Sequence, residues 1–303
     1  MNKVTVIGSI NLDRTIRTAR MAEAGETLHT KEIFSAGGGK GANQAVAARR
    51  LGADTYFIGA IGNDDAGKMM FDILHQEKIN CKGVAELPNE ITGQAFVIVD
   101  DKGENRILVH GGANMAFDEK HVTDNGDTIK ESDFIVAQFE SPIKCTIKAF
   151  KIARQNGVIT ILNPAPAQKV PDELLKITDM IIPNESETEL LTGIKINNED
   201  STKKAAAQFH KLGIKVVLIT LGSKGTFYSF EGKYGIVPAF KVKAVDTTAA
   251  GDTFIGALSS VLKKDFSNLL DAIKFSNKAS SITVQRFGAQ PSIPFLNEME
   301  EKS

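Results

Sequence analysis

The sequence predicts an α/β protein: a three-layer α/β/α core around a mostly parallel sheet, with a small β-sheet outside it. Three observations carry that prediction. Short runs that are apolar throughout alternate with longer amphipathic stretches. Two segments break this rhythm with strand-like patterning of their own. Polar or glycine-rich residues follow one predicted strand after another, which places them along one sheet edge. The length of 303 residues permits either two domains or one large α/β unit, and 42% hydrophobic with 24% charged residues is ordinary globular composition.

Taken in order, Val4–Ile7, Thr55–Ile61, Asp133–Ala137, Val158–Leu162, Asp179–Ile182 and Val216–Thr220 read as buried strands. Helical periodicity lies between them near 41–51, 64–78, 142–155, 184–192 and 199–212. Strands apolar on both faces, separated by helices, argue a parallel sheet covered on both sides. Residues 14–36 are polar, with β-type alternation around Gly25-Glu26-Thr27-Leu28-His29-Thr30. Residues 92–109 read as a hairpin turning near Lys102-Gly103. From spacing alone these inserted strands are decoration rather than a cover. Two helix-period segments, Asp252–Leu262 and Asp271–Gln285, close the chain before Gly288-Ala289-Gln290-Pro291.

Composition excludes several functions. Lys+Arg 36 against Asp+Glu 37 gives a net charge of −1, which supplies no general field for nucleic acid or a membrane surface. Two cysteines, Cys81 and Cys145, cannot build a disulfide scaffold or a multi-cysteine zinc site. The N-terminus enters a strand pattern at once, and no apolar run approaches the ~18 residues of a membrane span, so the cytoplasm is the expected compartment. No G-x-G-x-x-G follows the first strand. Gly62-Asn63-Asp64-Asp65-Ala66-Gly67-Lys68 nearly matches a Walker A loop, but Met69 replaces the hydroxyl needed for Mg²⁺; Asp64 or Asp65 reads instead as a helix cap. The five histidines lack metal-ligand spacing, and Asn184-Glu185-Ser186 matches the glycosylation pattern by chance.

Positive signals remain. Gly37-Gly38-Gly39-Lys40-Gly41-Ala42-Asn43-Gln44 leads into a helix, where glycines admit a ligand and free N–H groups favour oxygen-rich groups. Ala249-Ala250-Gly251-Asp252 opens another helix. Asp252 there is either a cap or a general base beside an anion hole of the 249–252 N–H groups. Thr220-Leu221-Gly222-Ser223-Lys224-Gly225 follows a strand, as a nucleotide loop or a strand-to-strand turn. Asn184-Glu185-Ser186-Glu187 follows a strand at a helix start, where Asn184 reads as an N-cap and the acidic residues suit the first turn. Asn11 with Asp13, and Glu140, follow strands where they can bind hydroxyls.

With these motifs in place the chain resembles the PfkB family of sugar and nucleoside kinases, from residue 3 to about 295. The segments 37–44 and Asp246-Thr247-Thr248-Ala249-Ala250-Gly251-Asp252-Thr253-Phe254 match its two signatures. Asn163-Pro164-Ala165-Pro166-Ala167, Gly111-Gly112-Ala113-Asn114 and Gly288–Pro294 resemble its ribose-phosphorylating members. The resemblance implies ATP-dependent phosphorylation of D-ribose at its 5-hydroxyl. Asp252 then matches the general base, and Ala249, Ala250, Gly251 and Asp252 the anion hole. Asn11, Asp13, Gly39, Lys40, Asn43 and Glu140 match sugar-binding positions, with Gly38 beside them. Asn184, Thr220, Gly222, Gly225 and Asn277 match the nucleotide side, and Glu187 completes an Asn-x-x-Glu pattern used around Mg²⁺ and phosphate. An activating K⁺ would be held by Asp246, Ser292 and the carbonyls of Thr248, Thr283, Arg286 and Gly288. The resemblance also turns 14–36 and 92–109 into a lid that closes over the sugar and mediates a homodimer, the core being 1–13, 37–91 and 110–303. The rival readings are a kinase of the same family acting on 2-deoxyribose or a nucleoside, and a catalytically silent sugar sensor.

Overall fold

A computed structural model describes residues 1–300. The chain opens with β1 (Lys3–Ile7), β2 (Asn11–Arg17) and β3 (Glu32–Gly38), then α1 (Lys40–Arg50), β4 (Asp54–Gly62), α2 (Asp65–Gln76) and β5 (Asn80–Leu87). The hairpin β6 (Gly93–Val99) and β7 (Asn105–His110) precedes α3 (Glu119–Asp124), α4 (Gly126–Lys130), β8 (Phe134–Ala137), α5 (Ile143–Gln155) and β9 (Ile159–Leu162). Next come α6 (Asp172–Lys176), β10 (Met180–Ile181), α7 (Glu185–Thr192), α8 (Glu199–Lys211) and β11 (Val216–Thr220). The hairpin β12 (Thr226–Phe230) and β13 (Lys233–Val237), then α9 (Ala250–Val261) and α10 (Leu269–Thr283), complete it.

Two sheets result. The larger has nine strands in the order β13-β12-β11-β10-β9-β8-β1-β4-β5, paired in parallel except that β12 is antiparallel to both β11 and β13. The smaller has four in the order β3-β2-β6-β7, with β2 and β6 parallel and the other pairs antiparallel. Along β1 the side chains alternate between two apolar layers: Val4 and Val6 pack with residues of α1 and α9, Ile7 with residues of α5. That double cover is the source of the continuously apolar strands. Each fully buried Phe or Ile contributes about 1.5–3 kcal/mol.

The predicted core strands and long helices are present within one to three residues. The differences have physical causes. Residues 25–30 are not a strand; they belong to the connection between β2 and β3, where Gly25 sits at φ +82° and the Glu26 N–H donates to Glu23 O. Pairing instead involves the flanks, from Asn11 with Gly38 to Arg17 with Glu32, so the small sheet reaches inward past residues 13 and 37. The unpredicted β5 lies at the edge of the large sheet, half buried, and its polar residues hide the strand pattern. The unpredicted β12 and β13 turn through Glu231 and Gly232, both at positive φ. The helices α3, α4 and α6 span six residues or fewer, too few for a helical period to register.

The C-terminal ends of the parallel strands open onto one edge, and the segments after β1, β8, β9, β10 and β11 all carry polar residues toward it. The small sheet joins there through β2 and β3.

Candidate active site

The start of α1 is pressed against the turn after β1. A Cβ at Gly41 would lie 2.6 Å from Ser9 N, and the Ala42 N–H donates to Ser9 O at 2.9 Å. Gly39 takes φ +86° to turn β3 into the helix. Glu140, after β8, binds this junction: its Oε2 accepts Ser9 Oγ–H (2.6 Å) and the Lys40 N–H (2.9 Å). A carboxylate on the first N–H of a helix is also favoured by the dipole. Buried Asn11 is fixed by Asn114, whose Nδ2 donates to Asn11 Oδ1 at 2.7 Å.

Asp252 is the third residue of α9 and does not cap it. The cap position is Ala249, at φ +59°, without a side-chain bond to the helix. Asp252 is 8% exposed, and its carboxylate accepts two amides from α1, Asn43 Nδ2 at 3.1 Å and Gln44 Nε2 at 2.9 Å. The helix start itself leaves N–H groups without intrahelical partners. Of the four N–H groups of the predicted anion hole, that of Ala250 turns to Thr247 O at 3.3 Å, which leaves those of Ala249, Gly251 and Asp252.

Charges crowd this point. Burial pushes the Asp13 carboxyl up to about 7, and the negative charges of Glu140 and Asp252 add to the effect against the pull of Lys40. Lys40 is held above its ordinary value, chiefly by Asp252 against the cost of burial, with Glu140, Glu187 and Asp13 adding to it. Burial also raises Glu187, opposed by the Asn184 N–H and by Lys40. Asp13 Oδ1 and Asn43 Oδ1 are buried without a hydrogen-bond partner among the described residues, as acceptors for a hydroxylated ligand would be.

Two cavities meet here. One of about 200 Å³ is lined by Lys40, Asn163, Asn184, Glu187, Thr247 and Ala249–Asp252. The other, about 440 Å³, is lined by Gly222, Gly225, Phe254 and Asn277, and shares Asn184, Thr220, Ala250 and Gly251 with the first. Asn184 and Glu187 form a reciprocal capping box on α7, so the cap reading is correct and the same two side chains face the smaller cavity. Asn277 reaches the larger cavity with its amide already engaged by Thr226 Oγ1, Val237 O and Pro238 O. It shapes that wall.

The residues expected around K⁺ form a neighbouring set. Asp246 accepts Thr248 N–H (2.9 Å), Thr248 Oγ1–H (2.6 Å) and Gly288 N–H (2.9 Å). Burial opposes ionisation of Asp246, but these bonds outweigh it and hold the carboxyl below its ordinary value. Val284 O accepts the Val245 and Asp246 N–H groups, Thr283 O accepts the Arg286 N–H, and the Ser292 hydroxyl donates to Ala289 O. Segments 246–248 and 283–292 are thereby tied together. Among the described residues there is no cluster of three or more His, Cys, Asp or Glu able to hold a metal.

The sequence reading passed over Gln44, Gln138, Ser9, Asn114 and Thr247 as individual contributors. Gln44 and Thr247 stood inside the recognised motifs, and Asn114 inside a quoted segment. Ser9 and Gln138 carry no local signal, because their roles depend on partners more than 90 residues away.

A buried carboxylate beside a bared helix start, at the strand ends of an α/β sheet with a small second sheet, is a phosphoryl-transfer site for a small alcohol. The chain belongs to the pfkB family of carbohydrate kinases, whose model matches residues 1–296. The ribokinase of Staphylococcus aureus (strain COL) is 50% identical to it over 301 residues, covering 99% of each chain. The ribokinase of Haemophilus influenzae is 46% identical over 298 residues, covering 98% of this chain and 97% of its own. The solved structure of Arabidopsis thaliana ribokinase complexed with ribose and ATP superposes with a TM-score of 0.92 at 33% identity, covering 100% of this chain and 99% of that one.

Proposed function

We propose that this protein phosphorylates D-ribose at O5 with ATP, giving D-ribose 5-phosphate and ADP. The observation that carries the reading is the Asp252 carboxylate, held by two α1 amides at the start of α9 where the two cavities join. Asp13 and Asn43 orient the sugar through their free acceptors, with Asn11, Glu140 and the backbone of Gly38 and Gly39 around them. The ribose 5-hydroxyl attacks the γ-phosphorus while its proton passes to Asp252. The bond from that phosphorus to the β,γ-bridging oxygen breaks and ADP departs. The Ala249, Gly251 and Asp252 N–H groups, together with Lys40, stabilise the charge on the phosphoryl in transit. Thr220, Gly222 and Gly225 flank the nucleotide, and Asn277 supports its base.

Mg²⁺ carried with ATP would neutralise phosphate charge. It holds most of its waters and needs only one or two carboxylates, so Glu187 with Asn184 fits it. Glu187 Oε2 is used by the Asn184 N–H (2.8 Å), and its other oxygen remains for a metal-bound water. The all-oxygen set of Asp246, Ser292 and the carbonyls of Thr248, Thr283, Arg286 and Gly288 suits a hard monovalent cation such as K⁺, which would pin the two segments beside the anion hole.

We read the small sheet as a lid, since Asp13 lies on β2 where the two sheets meet. Closure would exclude the water that competes for the phosphoryl group. The exposed Ile33, Phe34, Ile107, Leu108 and Val109 on this sheet support a homodimer through the lid. Among the described residues no helix is long and apolar enough to cross a membrane. With both cysteines free, the cytoplasm is the compartment we assign.

The test is ADP release with Mg²⁺ATP over ribose, 2-deoxyribose and adenosine, each with K⁺ and with Na⁺. Preference for ribose with K⁺ stimulation is the expected result. Preference for another acceptor reassigns the substrate, and ribose binding without turnover makes the protein a sensor. Asp252→Asn should fold and lose turnover by about 10²–10⁴-fold. Unchanged turnover would remove the base assignment.

A further inference from the structure

We infer that Gln44 and Gln138 are positioning residues forming a one-directional amide chain that orients the Asp252 carboxylate. The inference rests on the reading of Asp252 as the base.

The direction of the chain follows from its far contacts. Asn163 Nδ2 donates to Ile182 O at 3.2 Å, so Asn163 turns its Oδ1 toward Gln44. Gln44 therefore faces two acceptors, Asn163 Oδ1 at 3.1 Å and Asp252 Oδ1 at 2.9 Å, and only its NH₂ group suits both. Its carbonyl oxygen is left pointing at Gln138. Gln138 must then present its own NH₂, which it does at 2.5 Å. Nothing remains for Gln138 Oε1, which is buried with no partner among the described residues. It lies over Gly8, where a Cβ would be 2.1 Å away, so Gly8 is the residue that makes room for it.

Both glutamines are fully buried. An unpaired buried acceptor lowers stability, whereas an apolar pair of similar shape in the same place would be nearly neutral. A chain kept only for packing has no reason to carry that cost. The polar chain does one thing an apolar pair cannot: it delivers an N–H to Asp252 Oδ1 from a fixed direction. With Asn43 on the other oxygen, the carboxylate plane is set, and a proton acceptor must be placed within a fraction of an ångström to work.

The experiment is steady-state kinetics and thermal unfolding of Gln44→Leu, Gln138→Leu and the double variant, beside the unaltered protein. Gln44→Leu should lower kcat by about 10²-fold with the KM for ribose and for ATP unchanged. Gln138→Leu should lower kcat by a smaller factor with little change in its unfolding temperature, because it removes one unpaired buried oxygen but leaves Gln44 Oε1 without its donor. The double variant should be no slower than Gln44→Leu alone, since both act through one bond. Gln138→Leu is also the variant that keeps the test alive if Gln44→Leu does not fold. Unchanged kcat in a folded Gln44→Leu or Gln138→Leu overturns the inference, and so does a Gln138→Leu that loses stability with both kcat and KM altered. If the unaltered protein itself makes no ADP with ribose, the proposed function fails instead, and the two failures are distinguishable.

Discussion

In the nine-stranded sheet the central strands β8 and β1 are buried along nearly their whole length, whereas in the four-stranded sheet β7 is exposed from end to end. Phe134 on β8 is 0% exposed and Leu108 on β7 is 63% exposed. Both sheets carry branched and aromatic residues, so propensity does not separate them. Cover does. The large sheet has helices on both faces, and the small one leaves apolar residues open. The first holds the fold together, and the second carries the apolar surface that the proposed lid contact would cover. The proposed sugar-binding residues sit at neither centre but at the joint, where Asn11–Asp13 and Gly37–Gly38 pass from one sheet to the other. The unsatisfied acceptors Asp13 Oδ1 and Asn43 Oδ1 gather near that joint.

Three substitutions sharpen this contrast. Phe134→Ala should cost about 3–5 kcal/mol of unfolding free energy in a denaturant titration, because the surrounding layer cannot collapse into the space. Asp13→Asn probes the joint. The folded carboxyl titrates near 7 against an ordinary 3.8, so between these values the native state binds more protons than the unfolded chain and stability falls as pH rises. The penalty is absent below about pH 4 and complete above 7. Asp13→Asn should therefore raise the ligand-free unfolding temperature at pH 8 and leave it nearly unchanged at pH 4. An equal effect at both pH values would show that the charge is not what burial penalises. Leu108→Ser should alter the unfolding free energy of the isolated chain by no more than about 0.5 kcal/mol, while weakening self-association in sedimentation. A loss comparable to that of Phe134→Ala would break the comparison, since Leu108 would then belong to a core.

How far the sequence led differs along the chain for the same reason. The strands of the large sheet were legible because burial on both faces forces an apolar run. β5, β12 and β13, near the sheet edges, were not, because one-sided or partial cover tolerates polar residues. Strand pairing in the small sheet was displaced from 25–30 to its flanks, because alternation alone does not say which alternating residues have a partner. In the site, Asp252, Lys40, Asn43 and Asn184 were marked by glycine and helix-start chemistry, which is local. The sequence left Asp252 open between a cap and a base; its amide partners on α1, and the positive φ at Ala249, decided against a cap.

The sequence by itself determined the α/β class, the placement of polar segments at one sheet edge and the family signatures, because each depends on residues within a few positions of one another. Only the tertiary structure decided that Gln138, through Gln44, reaches Asp252, that Glu140 fastens the turn after β1 to the start of α1, and that Asp13 lies among like charges. Those contacts join residues about 100 to 200 positions apart. Hydrogen bonds and charges act over a few ångströms in space, and no local pattern records which distant residue the fold will bring within that range.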